Sequence, residues 1–202
     1  MSKADIIPSY KLIRKNRIGG VIMNISNKTL RLVLAAMFAA LICVATMIIK
    51  VPTVGTSGYV NIGDAAILLT VWILGGRYAA LAAGIGSALA DLLLGYTSYA
   101  PGTFIIKLSM AFAAFGVYFA LKKVSVNKYI AYVLSGIAAE AVMVAGYLTY
   151  EWVLLGYGAG ALPSVASNLV QGGTCIVLSV VAIGVLEAAK VKRTIDSYIV
   201  KE

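Results

Sequence analysis

Four ionisable side chains, Asp64, Asp91, Lys107 and Glu140, stand inside stretches that are otherwise apolar. A charge within a membrane-spanning helix costs at least about 2.5–3.5 kcal/mol when unpaired, so each one needs a partner or a task. Asp91 and Lys107 bound the segment DLLLGYTSYAPGTFIIK, two helix ends joined by a short loop of Gly, Tyr, Ser and Pro, and Asp64 closes a similar opening, YVNIGD. Asp91 and Lys107, with or without Asp64, read either as an ion pair tying helices together or as contacts for a polar ligand. Lys107 lies near the start of its helix, where the helix dipole disfavours a cation, so something negative is expected beside it.

Glu140 is the acid nearest the middle of an apolar run. It reads as a proton or cation relay, or as a hydrogen-bonding partner for a substrate, with Tyr147 on the same helical face. Asn168 and Gln171 are three residues apart and share a face. Their two amides offer paired donors and acceptors that suit the edge of a heterocycle, or else hydrogen bonds between spans. Cys43 and Cys175 lie in apolar runs and read as small buried hydrophobes. The chain has no His, so neither a metal site nor a His-based triad is indicated. Gly84-Ile-Gly86 lacks the lysine of a phosphate loop, so any ATP-driven step belongs to another chain.

The elements that position these groups are membrane helices. Of 202 residues, 61% are hydrophobic and 12% charged, against about 45–50% and about 25% in a soluble domain; mean hydropathy is +0.93. A net charge of +9 would suggest nucleic acid only if the basic residues clustered on a soluble face. They lie instead in the N-terminal tail and in short gaps between apolar runs, where membrane topology accounts for them. A span needs about 20 apolar residues, and the candidates are 30–49, 61–76, 78–95, 102–121, 129–150 and 164–189. The expected fold is an all-α integral membrane protein, a six-transmembrane-helix bundle. The bias of Lys and Arg towards one side puts both termini in the cytoplasm.

The chain divides into a basic cytoplasmic tail over 1–28, a six-helix membrane domain over 29–190 and a cytoplasmic tail over 191–202. Gly19-Gly20 shortly before Met23 reads as a translated ribosome-binding site, which would place the native start at Met23. With a rise of about 1.5 Å per residue, Asp64, Asp91, Lys107, Asn168 and Gln171 all fall near the outer ends of their helices. The outer loops add Tyr59, Asn61, Tyr96, Tyr99, Trp152 and Tyr157. The expectation is an outward-facing cavity with polar walls and an aromatic rim. On the first helix Ala35, Ala36, Ala39 and Ala40 form two overlapping small-residue stripes, suited to close helix packing or to docking another membrane protein.

The blocks YVNIGDAAILL, LGGRYAALAAGIGSALADLLLGY and YAPGTFIIK resemble the substrate-binding S-component of an energy-coupling factor (ECF) vitamin transporter, over roughly residues 30–190. The resemblance is closest to the riboflavin-type and the pyridoxine- or hydroxymethylpyrimidine-type components. It implies a six-helix ABC-type importer component in the cell membrane of a prokaryote. Such a component captures a vitamin from outside beneath the loop joining helices one and two. It then topples within a complex with a transmembrane coupling subunit and two ATPases, and itself binds no cofactor. Carried onto this chain, the resemblance assigns ligand contacts to Asn61 in the first loop and to Lys107, Glu140, Tyr147, Asn168 and Gln171. It assigns coupling-subunit docking to Ala35, Ala36, Ala39 and Ala40, and architecture to Asp64 and Asp91. Glu140, two amides and tyrosines suit a small hydroxylated nitrogen ring, which points to pyridoxine or hydroxymethylpyrimidine ahead of riboflavin. The rival classes are a self-contained secondary transporter, for which no internal repeat is evident, and a membrane enzyme, for which only carboxylates would remain as catalytic groups.

Overall fold

The computed structural model describes residues 16–18, 21–23 and 27–198. Most of the tail read over 1–28, with the question of a start at Met23, and the end of the tail over 191–202 lie outside the described residues. Two short strands, β1 (Asn16–Ile18) and β2 (Val21–Met23), pair antiparallel ahead of the membrane part. The helices are α1 (Asn27–Ile48), α2 (Gly63–Ile73), α3 (Gly76–Leu94), α4 (Ala100–Lys123), α5 (Lys128–Thr149), α6 (Leu162–Ala188) and α7 (Val191–Tyr198).

Their ends follow from local chemistry. Pro101 and Pro163 sit in the first turns of α4 and α6, where a missing N–H costs nothing. The Asn127 side chain accepts from the Tyr129 N–H at 2.9 Å and caps α5. Gly95, with φ of 84°, closes α3 in the left-handed conformation, which glycine adopts without a Cβ penalty.

Among the described residues, five helices are long and apolar enough to cross a membrane, α1 and α3 to α6 with their extensions. The second expected span, 61–76, is shorter than expected: α2 has 11 residues, about 16 Å of helix against a hydrocarbon core of about 30 Å. Upstream, Tyr59–Asn61 is drawn into a strand instead, and the Asn61 side chain accepts from the Gly63 N–H at 2.8 Å. Downstream, Gly75 and Gly76 take φ of 67° and 55°, which stops the helix. A helix this short survives in a bundle because it is sheltered. Most of α2 is buried, packed against α1, α3, α4 and α6.

The loop between α1 and α2 is an antiparallel hairpin, β3 (Lys50–Pro52) with β4 (Tyr59–Asn61), in register Lys50 to Asn61 and Pro52 to Tyr59. The expected all-α architecture therefore holds for the bundle and not for this loop. Small residues set the closest helix contact: a Cβ added at Gly86 on α3 would collide with the Ala39 carbonyl oxygen on α1, so the two backbones touch. At the far end of the bundle from the hairpin, Trp72 and Tyr132 pack with ring centroids 4.6 Å apart, and the Trp72 indole N–H donates to Ser135 Oγ at 3.0 Å. Leucine, valine, isoleucine and methionine side chains cover the outside of α1, as a lipid-facing surface requires.

Candidate ligand-binding site

The polar groups meet where the N-terminus of α2, the first turns of α4 and the upper part of α6 converge beneath the hairpin. Asp64, in the first turn of α2, sits where the helix dipole favours an anion. Its Oδ1 is 2.5 Å from Lys107 Nζ, with both side chains almost fully buried. Its Oδ2 accepts from the Gln171 side-chain amide, and Gln171 Oε1 in turn accepts from the Asn61 backbone N–H at 2.6 Å. One network thus binds α2, α4, α6 and the end of the hairpin together.

This corrects the expected pairing of Asp91 with Lys107. Lys107 pairs with Asp64, while Asp91 Oδ1 accepts from the Tyr59 hydroxyl at 2.7 Å. The negative group that Lys107 demanded is present, but it comes from α2 rather than from α3. Burial and the neighbouring Asp91 carboxylate push the Tyr59 phenol up from its ordinary value, so it stays protonated and donates. Lys107 Nζ also stands 5.2 Å from the centre of the Tyr147 ring, whose hydroxyl is 3.0 Å from Thr103 Oγ1.

These residues wall a cavity of about 20 Å³, room for one water. Of the anticipated contacts, Asn61, Lys107, Tyr147, Asn168 and Gln171 line it, as does Asp91. Asp64 stands behind the wall, bonded to two residues that line it. Glu140 is also off the lining. It is buried against Gly172 of α6, where an added Cβ would lie 3.0 Å from Glu140 Cβ, and neither carboxylate oxygen has a hydrogen-bond partner.

The hairpin closes the end of the cavity. The Tyr157 hydroxyl donates to Ser57 Oγ at 2.9 Å and accepts from the Ser57 N–H at 3.3 Å. At Gly55, φ is 83° and an added Cβ would press on the Gly160 carbonyl oxygen, so the tip of the hairpin rests directly on the connection between α5 and α6. The cavity as it stands is too small for an aromatic ring.

Glu151 was missed at the sequence level. It lies in a π-helical turn, Tyr150–Leu154, that prolongs α5, and it lines the cavity while almost fully buried. Its carboxylate accepts from the Tyr99 hydroxyl at 3.1 Å and from Ser164 Oγ at 2.5 Å. Tyr99, expected on the rim, is inside the fold. Burial raises its phenol, opposed by a hydrogen bond from Thr56, and Glu151 adds to the rise. The available signal was an acid directly after an apolar run, which hydropathy alone reads as loop. Trp152, also expected on the rim, points outward and is 42% exposed. The hydroxyls of Thr46, Thr53, Ser87 and Thr103 also line the cavity, and polar residues this small leave little mark in an apolar run.

The four alanines of α1 divide. Ala39 is buried and Ala35 half-buried, both packed in the core, while Ala36 and Ala40 are exposed. A larger cavity, about 450 Å³, opens at the opposite end of the bundle among Arg31, Arg77, Tyr78, Phe119, Lys122 and Lys192, away from the buried carboxylates.

A family model described as "ECF-type riboflavin transporter, S component" matches residues 26–188. A protein of Pyrococcus woesei described as an uncharacterized protein in gap 3'region is 33% identical over 137 residues, 68% of this chain and 88% of that protein.

Proposed function

Since the chain belongs to the ECF-type riboflavin transporter S-component family, a family of transporter components and not of enzymes, we propose that it captures a small water-soluble vitamin or vitamin precursor beneath the β3–β4 hairpin. The observation that carries this reading is the closed polar cavity itself. Charged and amide side chains from three helices are gathered at one depth in a bundle whose other buried residues are mostly apolar. Such groups are rare inside membrane proteins and mark ligand pathways.

The proposed contacts are Asn61, Lys107, Tyr147, Asn168 and Gln171 on the wall, with Glu140 joining them once the walls part around a ligand. An ammonium carries three donors and a primary amide two. Lys107 and Gln171 therefore keep donors for a ligand after binding Asp64. Asp64 and the Asp91 oxygen that accepts from Tyr59 hold the frame. Pyridoxine or hydroxymethylpyrimidine is the first substrate to test; riboflavin is a second reading, favoured by the description of the matching family.

Delivery would require a transmembrane coupling subunit and two ATPase subunits, which hydrolyse the ATP; this chain would bind no cofactor of its own. Ala36 and Ala40, on the open face of α1, would meet the coupling subunit, with Ala35 and Ala39 holding α1 close to α3. The membrane is the cell membrane of a prokaryote, crossed with the hairpin outside and both termini inside, as the Lys and Arg distribution directs.

The test is native mass spectrometry and calorimetry on the protein purified alone, with pyridoxine, hydroxymethylpyrimidine and riboflavin and without ATP or an ion gradient. Tight one-to-one binding of one of the three is expected. If the protein binds none of them, the vitamin-binding reading is wrong.

A further inference from the structure

We infer that the α1–α3 wall of the cavity recognises hydroxyl groups of the ligand through Asp91, Ser87 and Thr46, so that the site selects neutral, hydroxyl-bearing ligands over their deoxy or phosphorylated counterparts. This rests on the vitamin-binding reading above and adds to it a wall of which only Asp91 had been weighed as a ligand contact.

Three buried oxygens on this wall, Asp91 Oδ2, Ser87 Oγ and Thr46 Oγ1, have no hydrogen-bond partner among the described residues. All three residues line the cavity. A buried polar atom left unpaired is costly, and native proteins rarely keep several together without a use. Ser87 and Asp91 are four residues apart on α3, hence on one face. Thr46 comes from α1, which is held against α3 by the Ala39–Gly86 contact. The Asp91 carboxylate is fixed in orientation because its other oxygen accepts from Tyr59 at 2.7 Å.

The chemistry of the three atoms defines what fits. A carboxylate oxygen only accepts, whereas Ser and Thr hydroxyls both donate and accept. A ligand hydroxyl can donate to Asp91 and accept from Ser87 or Thr46 at once, so one such group satisfies two orphaned oxygens. An anionic substituent fits poorly. Asp91 and Glu151 both line the cavity, and Lys107, the cation on the wall, is already paired with Asp64.

The test uses ligand pairs that differ in hydroxyl groups: pyridoxine with deoxypyridoxine, hydroxymethylpyrimidine with its 5-methyl analogue, and riboflavin with lumiflavin. Calorimetry is run on the wild type, Ser87→Ala and Thr46→Val, each variant first checked for an unchanged thermal melt. The wild type should bind the hydroxylated member of its preferred pair about tenfold or more tightly, as expected for hydrogen bonds to a buried charged partner. In the variants that ratio should fall towards one, while affinity for the member lacking the hydroxyls stays as in the wild type. Equal wild-type affinities within the pair that binds, or a ratio unchanged in both variants, would overturn the inference and leave the vitamin-binding reading standing. A wild type that binds none of the six compounds overturns both.

Discussion

Lys107 and Asp64 illustrate how a buried charge is tolerated in an apolar bundle. Each is nearly inaccessible, and their 2.5 Å contact is supplemented by the Gln171 amide on the second Asp64 oxygen. Removing one member of such a pair is worse than removing both, because the survivor keeps its desolvation cost without its partner. Lys107→Met should therefore lower the stability of the purified protein by about 3–5 kcal/mol. Lys107→Met combined with Asp64→Asn should recover much of that loss. Thermal unfolding in detergent measures both, and a double variant no more stable than the single one would contradict the pairing. At this scale the sequence was informative about which residues matter and misleading about who meets whom. The charges stood out against apolar runs, yet Lys107 was read first with Asp91 on the adjoining helix and with Asp64 only as an optional third member. Its partner lies 43 residues away, a choice made by helix packing that no local pattern records. Glu140 was singled out as ligand-facing, but in the closed form it is packed against Gly172.

At the scale of elements, boundaries that depend on hydropathy were legible and those that depend on tertiary pairing were not. Long apolar runs located α1 and α3 to α6 to within a few residues. The run over 61–76 looked like another span because apolar residues fill it, but strand pairing claims its start and positive-φ glycines stop it before Arg77. The alanine stripes of α1 were seen, but only the packed bundle shows which stripe turns inward. The inward stripe meets α3 at Gly86, and this contact separates two kinds of small-residue substitution. Gly86→Leu should force α1 away from α3 and destabilise the isolated protein by about 1–3 kcal/mol. Ala36→Leu, on an exposed position, should change stability by no more than about 0.5 kcal/mol while weakening co-purification with a coupling subunit. Thermal melts of both variants and pull-down of the assembled complex decide the matter; equal loss of stability in the two would refute the assignment of faces.

For the whole molecule, the decisive quantity is which end faces out. Cys43 and Cys175 are both buried, so a thiol placed at an exposed loop position can be labelled selectively. Val54 in the hairpin and Val124 after α4 are each 70% exposed. With the hairpin outside, Val54→Cys should react with a membrane-impermeant maleimide on intact cells, and Val124→Cys only after permeabilisation. The reverse pattern would invert the topology and put the cavity on the wrong side for uptake. The short α2 has a further consequence. Asp64 opens that helix, and only about 16 Å of chain lies between the Asp64–Lys107 contact and the turn at Gly75. Ile67, Leu68, Val71 and Trp72 are packed along this length. The apolar layer between the buried ion pair and the turn at Gly75 is therefore about half as deep as the hydrocarbon core of a bilayer.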